Sequence, residues 1–399
     1  MNIVDESVWL DAIQRVLDRS HLWRPDQLAE TIAATLDRVG ISATVYLIDE
    51  EQITLRALSV PGRETPKPEP VDDSAAGRAF TLVRSVAADG RWWVPIVNGT
   101  DRLGVVDFVV PEGVDPETPS LQQRCELFAG LVGHLITTTS PRGDHLALVR
   151  RTEPMSAASE LLWQMLQPLT VSCDELAIAA VLQPCYEVGG DGFDYMVEDS
   201  VAQVAILDAA GSSLKAGLAT AVALASMRAA RRAGGDLYAQ ARAVDAALVE
   251  QFPDARFVTA FLAELRLDTG VMRYLNAGHP APLLLRSGSA VTPITGGGRM
   301  PLGLDDPDMA VGEERLERGD RLLLYSDGVT EARDETGERF GLDRLVELVD
   351  EHAAAGLPVP ETLRRLSQAV VEHQHGPPAD DATLLLLEWS PAAAHRTVP

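Results

Sequence analysis

The chain has 399 residues, 46% of them hydrophobic, and a formal net charge of -25. That is enough apolar material for two or three domains with real cores, and too much for a disordered chain. The acid excess repels nucleic acid and anionic lipid, so neither is an expected partner, and part of it could be held by divalent cations. No apolar run reaches the roughly 18 residues of a membrane-spanning helix. The opening MNIVDESVWLDAIQRVLDRS is acidic and amphipathic, without a signal-peptide layout, so a cytoplasmic location is expected. Cys125, Cys173 and Cys185 lie far apart and suggest neither a disulfide frame nor a zinc site.

In chain order, residues 8–20 read as a short helix, and RPDQLAETIAATLDRVG (24–40) as a clearer one that stops at Gly40. Five strand-like segments follow: SATVYLID, ITLRALSV, RSVAADG, RWWVPIV and RLGVVDFVV, interrupted by a Pro-rich loop at 61–70. LQQRCELFAGLVGHLITTT closes the group as a helix. Helix, antiparallel strands and closing helix make an α+β domain over 1–143, whose order resembles a GAF sensory domain. A helical linker is expected over 144–168. Its Ala158, Leu161, Leu162, Met165 and Leu166 share one face, which either packs on its own domain or pairs two copies of the chain.

From 169 to 390 strands and helices alternate in blocks. ELAIAAVLQPC, FDYMVED, VAQVAILDAAG, FVTAFLAELRLDTG, VMRYLNAGHPAPLLLRSG, DRLLLYSDG and ATLLLLEW read as strands. The helices come in successive pairs, which favours antiparallel sheets covered by helices over a parallel βαβ fold. The tail, 391–399, is expected to be disordered.

Several strands end in acid. VAQVAILDAAG ends at Asp208, followed by small residues, and RLLLYSDG delivers Asp327 beside a glycine. EVGGDGFD sets Asp191 behind two glycines, and PADDATLLLLEW opens on Asp380 and Asp381. Alone, Asp-Gly is a common turn pair. In an antiparallel sheet, however, starts and ends of neighbouring strands share an edge, so four segments can converge their carboxylates. Such a cluster has raised pKa values unless a cation compensates, and oxygen ligands suit Mg²⁺ or Mn²⁺.

These motifs, with PCYEVGGDGFDYM, FVTAFLAELRLDTGVMRYLNAGHPAPLLLR, PLGL, LLLYSDGVTEARDETGERFG and DDATLLLLEW in this order, resemble the PP2C-type (PPM) metal-dependent Ser/Thr phosphatases. The resemblance covers about 155 to 389 and is to the bacterial sporulation and stress-response (SpoIIE/RsbU-like) branch. It implies two stacked antiparallel sheets flanked by antiparallel helix pairs. It also implies two or more Mn²⁺ or Mg²⁺ ions. Asp208 would bridge two of them and act through a bridging water that attacks phosphorus. The Ala209 carbonyl would bind one ion, Asp327 and Asp380 would complete the second site, and Asp191 would bind directly or through water.

Around these ligands the reading stays open. Glu187 and Asp194 either orient metal-bound waters or are surface carboxylates. His279, in NAGHP, is either a general acid for the leaving oxygen or a turn histidine bonded to backbone. Asn276 organises that turn, and Asp381 either supports the metal ligands or is solvated. The resemblance implies a phosphorylated anti-sigma-factor antagonist as substrate, and a homodimer formed through the linker and the GAF-like domain is the expected assembly. One departure stands out: after Asp208 the text is DAAGSSLKAG, with Ser212 and Ser213 where the family has His, or another residue, and Gly. A Ser213 forced to positive φ would be strained by roughly 1 kcal/mol. The alternative is therefore a weak or inactive phosphatase fold that binds partners as a regulated scaffold.

Overall fold

A computed structural model describes residues 6–397 apart from 112, 116–117, 184–185, 188, 212, 254–255, 287–290 and 375–379. Cys185 and Ser212, singled out above, lie outside the described residues. The chain divides into two units, Met1–Glu153 with Arg396–Pro399, and Pro154–His395.

The first unit opens with α1 (Glu6–Ser20) and α2 (Leu28–Val39). α2 stops where Gly40 turns to φ +87, a left-handed conformation that glycine adopts without steric cost. Then come β1 (Ser42–Ile48), β2 (Thr54–Ala57), β3 (Glu69–Pro70), α3 (Ala75–Leu82), β4 (Val86–Ala88), β5 (Arg91–Asn98), β6 (Asp101–Val109), α4 (Pro119–Thr139) and α5 (His145–Arg150). The strands make one antiparallel sheet in the order β3, β2, β1, β6, β5, β4. One face sets Val45, Leu47, Val94, Val106 and Phe108 against the apolar stripes of α1, α2 and α4. The other sets Tyr46, Leu55, Trp93 and Val105 against Ala76, Ala79 and Phe80 of α3. The sequence reading had no helix at α3. Its cap is Ser74, whose hydroxyl accepts from the Gly77 N–H at 2.8 Å, and Gly77 is needed there because a Cβ would lie 1.7 Å from the Val71 carbonyl oxygen.

The helical linker expected over 144–168 is two separate helices in two units. α5 buries Leu146 in the first unit's core, and α6 (Ala157–Met165) buries Ala158 and Leu162 in the second. Pro154 lies between them, where a continuous helix would lose a backbone bond. Of the two alternatives for this face, packing on its own domain describes α6.

The second unit continues with β7 (Thr170–Cys173), β8 (Leu176–Gln183), β9 (Asp191–Glu198), β10 (Val201–Ala209), α7 (Leu214–Arg232), α8 (Leu237–Gln251), β11 (Val258–Arg266), β12 (Val271–Ala277), β13 (Leu283–Leu285), β14 (Thr292–Pro293), β15 (Gly298–Arg299) and β16 (Gly312–Arg315). It ends with β17 (Arg321–Tyr325), α9 (Asp327–Glu331), α10 (Leu342–Ala354), α11 (Val359–His373), β18 (Ala382–Glu388) and α12 (Pro391–His395). One sheet runs β14, β13, β17, β18, β8, β7; the other runs β15, β12, β11, β10, β9, with β16 on β12.

Alternation along each strand divides its residues between two faces. Phe193, Val204, Ile206, Phe261 and Ala263 of one sheet meet Ile178, Ala180, Leu322, Leu324, Leu385 and Leu387 of the other. Outside, Ala205, Leu207, Ala260 and Leu262 lie under α7 and α8, while Ala179, Leu323, Leu384 and Leu386 lie under α10 and α11. The result is the expected α+β sandwich flanked by helix pairs. The tail departs from expectation: residues 391–395 form α12, and Ala393 is buried beside β8. Proline at the first helical position and an alanine run favour that helix.

Phe261 is fully buried between the sheets and stacks on Tyr274 with ring centroids 5.5 Å apart. Phe261→Ala is expected to cost about 3–5 kcal/mol, read as a lower urea midpoint for the second unit, with the unfolding of the first unit unchanged.

Candidate metal centre

Antiparallel register brings the first residue of β9, Asp191, opposite Asp208 near the end of β10. Two-residue alternation then aims both carboxyls into the space between the sheets, on the side of Phe193 and Ile206. The facing sheet ends at the same place. β17 stops at Tyr325, Ser326 precedes α9, and Asp327 is the first helical residue; Asp380 and Asp381 lead into β18, the partner of β17. Ser326 N–H donates to the Thr383 carbonyl at 3.0 Å, and Thr383 N–H donates to Ser326 Oγ at 2.9 Å. Gly328 is there for close approach: a Cβ would sit 1.9 Å from the Asp381 carbonyl oxygen. The Asp-Gly pair is thus the contact between two acidic strand ends.

Asp381 ties the sheets together. Its Oδ2 accepts the backbone N–H groups of Gly189, Gly190 and Asp191 at 2.7, 2.6 and 3.2 Å. The segment that carries Asp191 on one sheet therefore hangs on a carboxylate from the other, which answers the open reading of Asp381: it is a support. Thr220, on α7, donates its hydroxyl to the Gly190 carbonyl. Gly190 in turn has no room for a side chain, since a Cβ would lie 2.5 Å from the carbonyl oxygen of Ala209.

Charge accumulates at this edge. Burial pushes the Asp208 carboxyl up to about 7, helped by the negative charges of Asp327, Asp380 and Asp381. Asp191 is also raised well above the usual carboxylate range, by burial first and then by Asp208 and Asp381, with the Thr383 and Ser326 hydroxyls offsetting part of it. Burial and then Asp380 raise Asp327. Asp191 Oδ2 is buried without a hydrogen-bond partner. Asp191 lies at the floor, while Asp327 and Asp380 form an exposed rim. Among the described residues no three His, Cys, Asp or Glu side chains already stand at metal-binding spacing. The donor chemistry nonetheless fits a hard divalent cation: carboxylate and carbonyl oxygens, one of them an orphan, in charged forms that a cation would relieve.

Other expected site residues fall elsewhere. Asp194, three residues from Asp191, points to the opposite face, where Arg228 and Arg231 of α7 hold its two oxygens at 2.6 Å. It anchors a helix and orients no water at the edge. Glu187 is exposed, two residues before the Gly189 N–H that bonds Asp381. His279 is buried with Nδ1 3.0 Å from the Thr259 hydroxyl, and Thr259 pairs with Asp208 in the ladder. Burial pushes the imidazole down to about 3, so it is neutral near pH 7 and holds no extra proton for a leaving oxygen. The turn role remains: Asn276 Oδ1 accepts from the His279 N–H at 2.8 Å, and Asn276 Nδ2 donates to its carbonyl at 2.9 Å.

The strain expected at Ser213 is absent. Its φ is -161, an extended conformation, and Gly211 takes the left-handed turn at φ +91. Arg256, which the sequence reading passed over, donates from Nη1 to the Ala210 carbonyl at 3.1 Å and braces this loop. Thr259, Ser326 and Thr383 were also missed. The last two stand inside the quoted motifs YSDG and DDAT, so their position was visible but their role was not.

Two outcomes follow from this geometry. Asp194→Ala leaves two arginine side chains uncompensated and is expected to lower stability by about 3 kcal/mol without altering the heat of Mn²⁺ binding, as denaturation and calorimetry would show. In metal-free protein, folded Asp208 holds its proton to about pH 7 while the unfolded residue releases it near 3.8. The folded state therefore binds more protons in that window and loses stability as pH rises through it. Thermal unfolding under chelator should show Asp208→Asn gaining on wild type from pH 4 to pH 7; a constant difference would contradict this.

Residues 198–390 match the family model Stage II sporulation protein E (SpoIIE), a span that takes in Asp208, Asp327 and Asp380. Phosphoserine phosphatase RsbU of Bacillus subtilis is 26% identical over 218 residues, 54% of this chain and 63% of that protein. Protein IcfG of Synechocystis sp. is 29% identical over 132 residues, 33% of this chain and 20% of that protein. The chain thus spans less than two thirds of the length of these curated relatives. Among solved structures, the SiaA-PP2C domain of Pseudomonas aeruginosa gives a TM-score of 0.49 at 22% identity, over 63% of this chain and 99% of that one. The RsbU and RsbW domains of Rv1364c from Mycobacterium tuberculosis give 0.48 at 24% identity, over 54% of this chain and 61% of that one. Over residues 198–390 the second unit of this chain is thus similar to the SpoIIE family, and over 218 residues the chain is similar to the phosphoserine phosphatase RsbU.

Proposed function

We propose that this chain is a Mn²⁺- or Mg²⁺-dependent phosphoprotein phosphatase acting on phosphoserine or phosphothreonine in the cytosol. The observation that carries the proposal is the meeting of Asp191, Asp208, Asp327 and Asp380 at one edge of the sandwich, with the buried pair strongly disfavoured as bare anions. Those four side chains and the Ala209 carbonyl would hold two or more ions. The chemistry such ions supply when bound is charge neutralisation at a phosphate and a lowered pKa for water.

The chain's own groups fit direct hydrolysis better than a covalent route. Ser326 is buried, donates to the Asp381 carbonyl and accepts from Thr383, so its hydroxyl is not poised as a nucleophile. His279 is buried, with Nδ1 engaged by the Thr259 hydroxyl and its backbone by the Asn276 turn. Asp381 keeps Asp191 in place, and the exposed rim of Asp327 and Asp380 is where a phosphorylated side chain can enter.

By family likeness, the substrate is a phosphorylated anti-sigma-factor antagonist in a partner-switching pathway. The first unit serves as a GAF-like sensor, a reading supported by its order of helices, antiparallel strands and closing helix. It also supplies a homodimer contact: α1 exposes Leu10 and Leu17, seven residues apart on one stripe. One observation favours a second reading, a phosphatase fold that binds partners without turnover: the acidic side chains do not yet stand at metal-binding spacing among the described residues.

Hydrolysis of p-nitrophenyl phosphate with Mn²⁺ titrated in separates the two. Turnover is expected to rise with Mn²⁺ and to fall about 100-fold or more in Asp208→Asn. Turnover that ignores Mn²⁺, or survives the substitution, would contradict the proposal; Mn²⁺ binding without turnover would support the second reading.

A further inference from the structure

We infer that the apolar rim beside the carboxylate edge, formed by Leu214, Leu218, Phe257, Met300 and Leu304, is the docking surface for the phosphoprotein, and that the phosphorylated residue it accepts is flanked by apolar side chains. This rests on the phosphatase reading and adds the chemistry of the substrate segment.

Three segments distant in sequence border the loop that follows Asp208. α7 begins three residues after Gly211, and its Leu214 and Leu218 lie one turn apart on the same face. Ala210 N–H donates to the Phe257 carbonyl at 3.3 Å, which sets Phe257 against the loop. Val258 and Leu302 exchange backbone hydrogen bonds at 2.9 and 2.8 Å and bring 300–304 alongside; Gly303 passes so close that a Cβ would lie 2.6 Å from the Arg256 carbonyl oxygen. All five side chains are exposed, Met300 at 55% and Leu214 at 50%. Large apolar side chains gathered at one place on a surface mark an interaction site, whereas scattered single ones do not.

Charge identifies the occupant. A chain of net charge -25 repels an anionic phosphoprotein over most of its surface. Apolar contact is indifferent to that field, so it can hold such a partner where ion pairing would not. Arg256 braces the loop after Asp208 from the same side, so the rim and the carboxylate edge are held together.

The test uses the full chain with Mn²⁺ and two fluorescein-labelled nonapeptides bearing a central, non-hydrolysable phosphonate mimic of phosphoserine. One peptide has leucine and phenylalanine flanks, the other aspartate flanks. Fluorescence anisotropy is expected to show the apolar peptide binding wild type about 10-fold more tightly. Leu218→Asp and Met300→Asp should each erase that gap while p-nitrophenyl phosphate hydrolysis stays at the wild-type rate. A wild type without preference, or a gap that persists in both variants, overturns the inference. A gap lost in the variants of a protein without esterase turnover would uphold the docking surface and count against the phosphatase reading instead.

Discussion

Carboxyl groups brought together inside a protein repel one another, and the second unit is built around holding five of them at one edge of two sheets. Nothing local accounts for the arrangement: Asp191 and Asp208 belong to one sheet, while Asp327, Asp380 and Asp381 belong to the other. The sandwich supplies the rigidity, since every strand that ends at this edge is covered on one side by the facing sheet and on the other by a helix pair. Asp381 completes it by accepting three backbone N–H groups from across the sandwich. Burial raises the Asp381 carboxyl, but its three backbone donors offset part of that rise, whereas Asp191 keeps an orphaned oxygen. One acid is satisfied by the protein and its neighbour is left to be satisfied by something else. That asymmetry distinguishes a site from a crowded sheet edge.

Much of this was legible in the sequence. Apolar runs such as LLLLEW and VAQVAIL give strands by composition, and their acidic ends mark one edge once the sheets are taken as antiparallel. The misreadings have physical causes. Asp194 was grouped with Asp191 by nearness in sequence, yet a strand sends residues i and i+3 to opposite faces, and parity alone would have separated them. The neutrality of His279 depends on burial beside Thr259 of another strand, which no local pattern contains. Ser213 was suspected of strain because two residues differ from the family text, but the backbone places its left-handed turn at Gly211. Helix α3 was missed because it is only eight residues long and carries a glycine in its first turn, which makes a weak helical signal. The linker was taken as one span although Pro154 interrupts its pattern and its apolar face begins only at Ala158; the chain there changes from one unit to the other.

The two units answer to different constraints. The first covers both faces of its sheet with helices and leaves Leu10 and Leu17 of α1 exposed, which suits a module that meets another copy. The second concentrates its charge at one edge and lines the adjoining rim with apolar side chains, which suits a module that meets a phosphorylated partner.

The central claim is that the acidic edge is a divalent-cation site. Isothermal titration calorimetry of Mn²⁺ into metal-stripped protein tests it without requiring turnover or a known substrate. Saturable binding, weaker at pH 6 than at pH 8 because Asp208 must give up its proton, and lost in Asp208→Asn, is the result this account predicts. Heats indistinguishable between wild type and Asp208→Asn at either pH would contradict it.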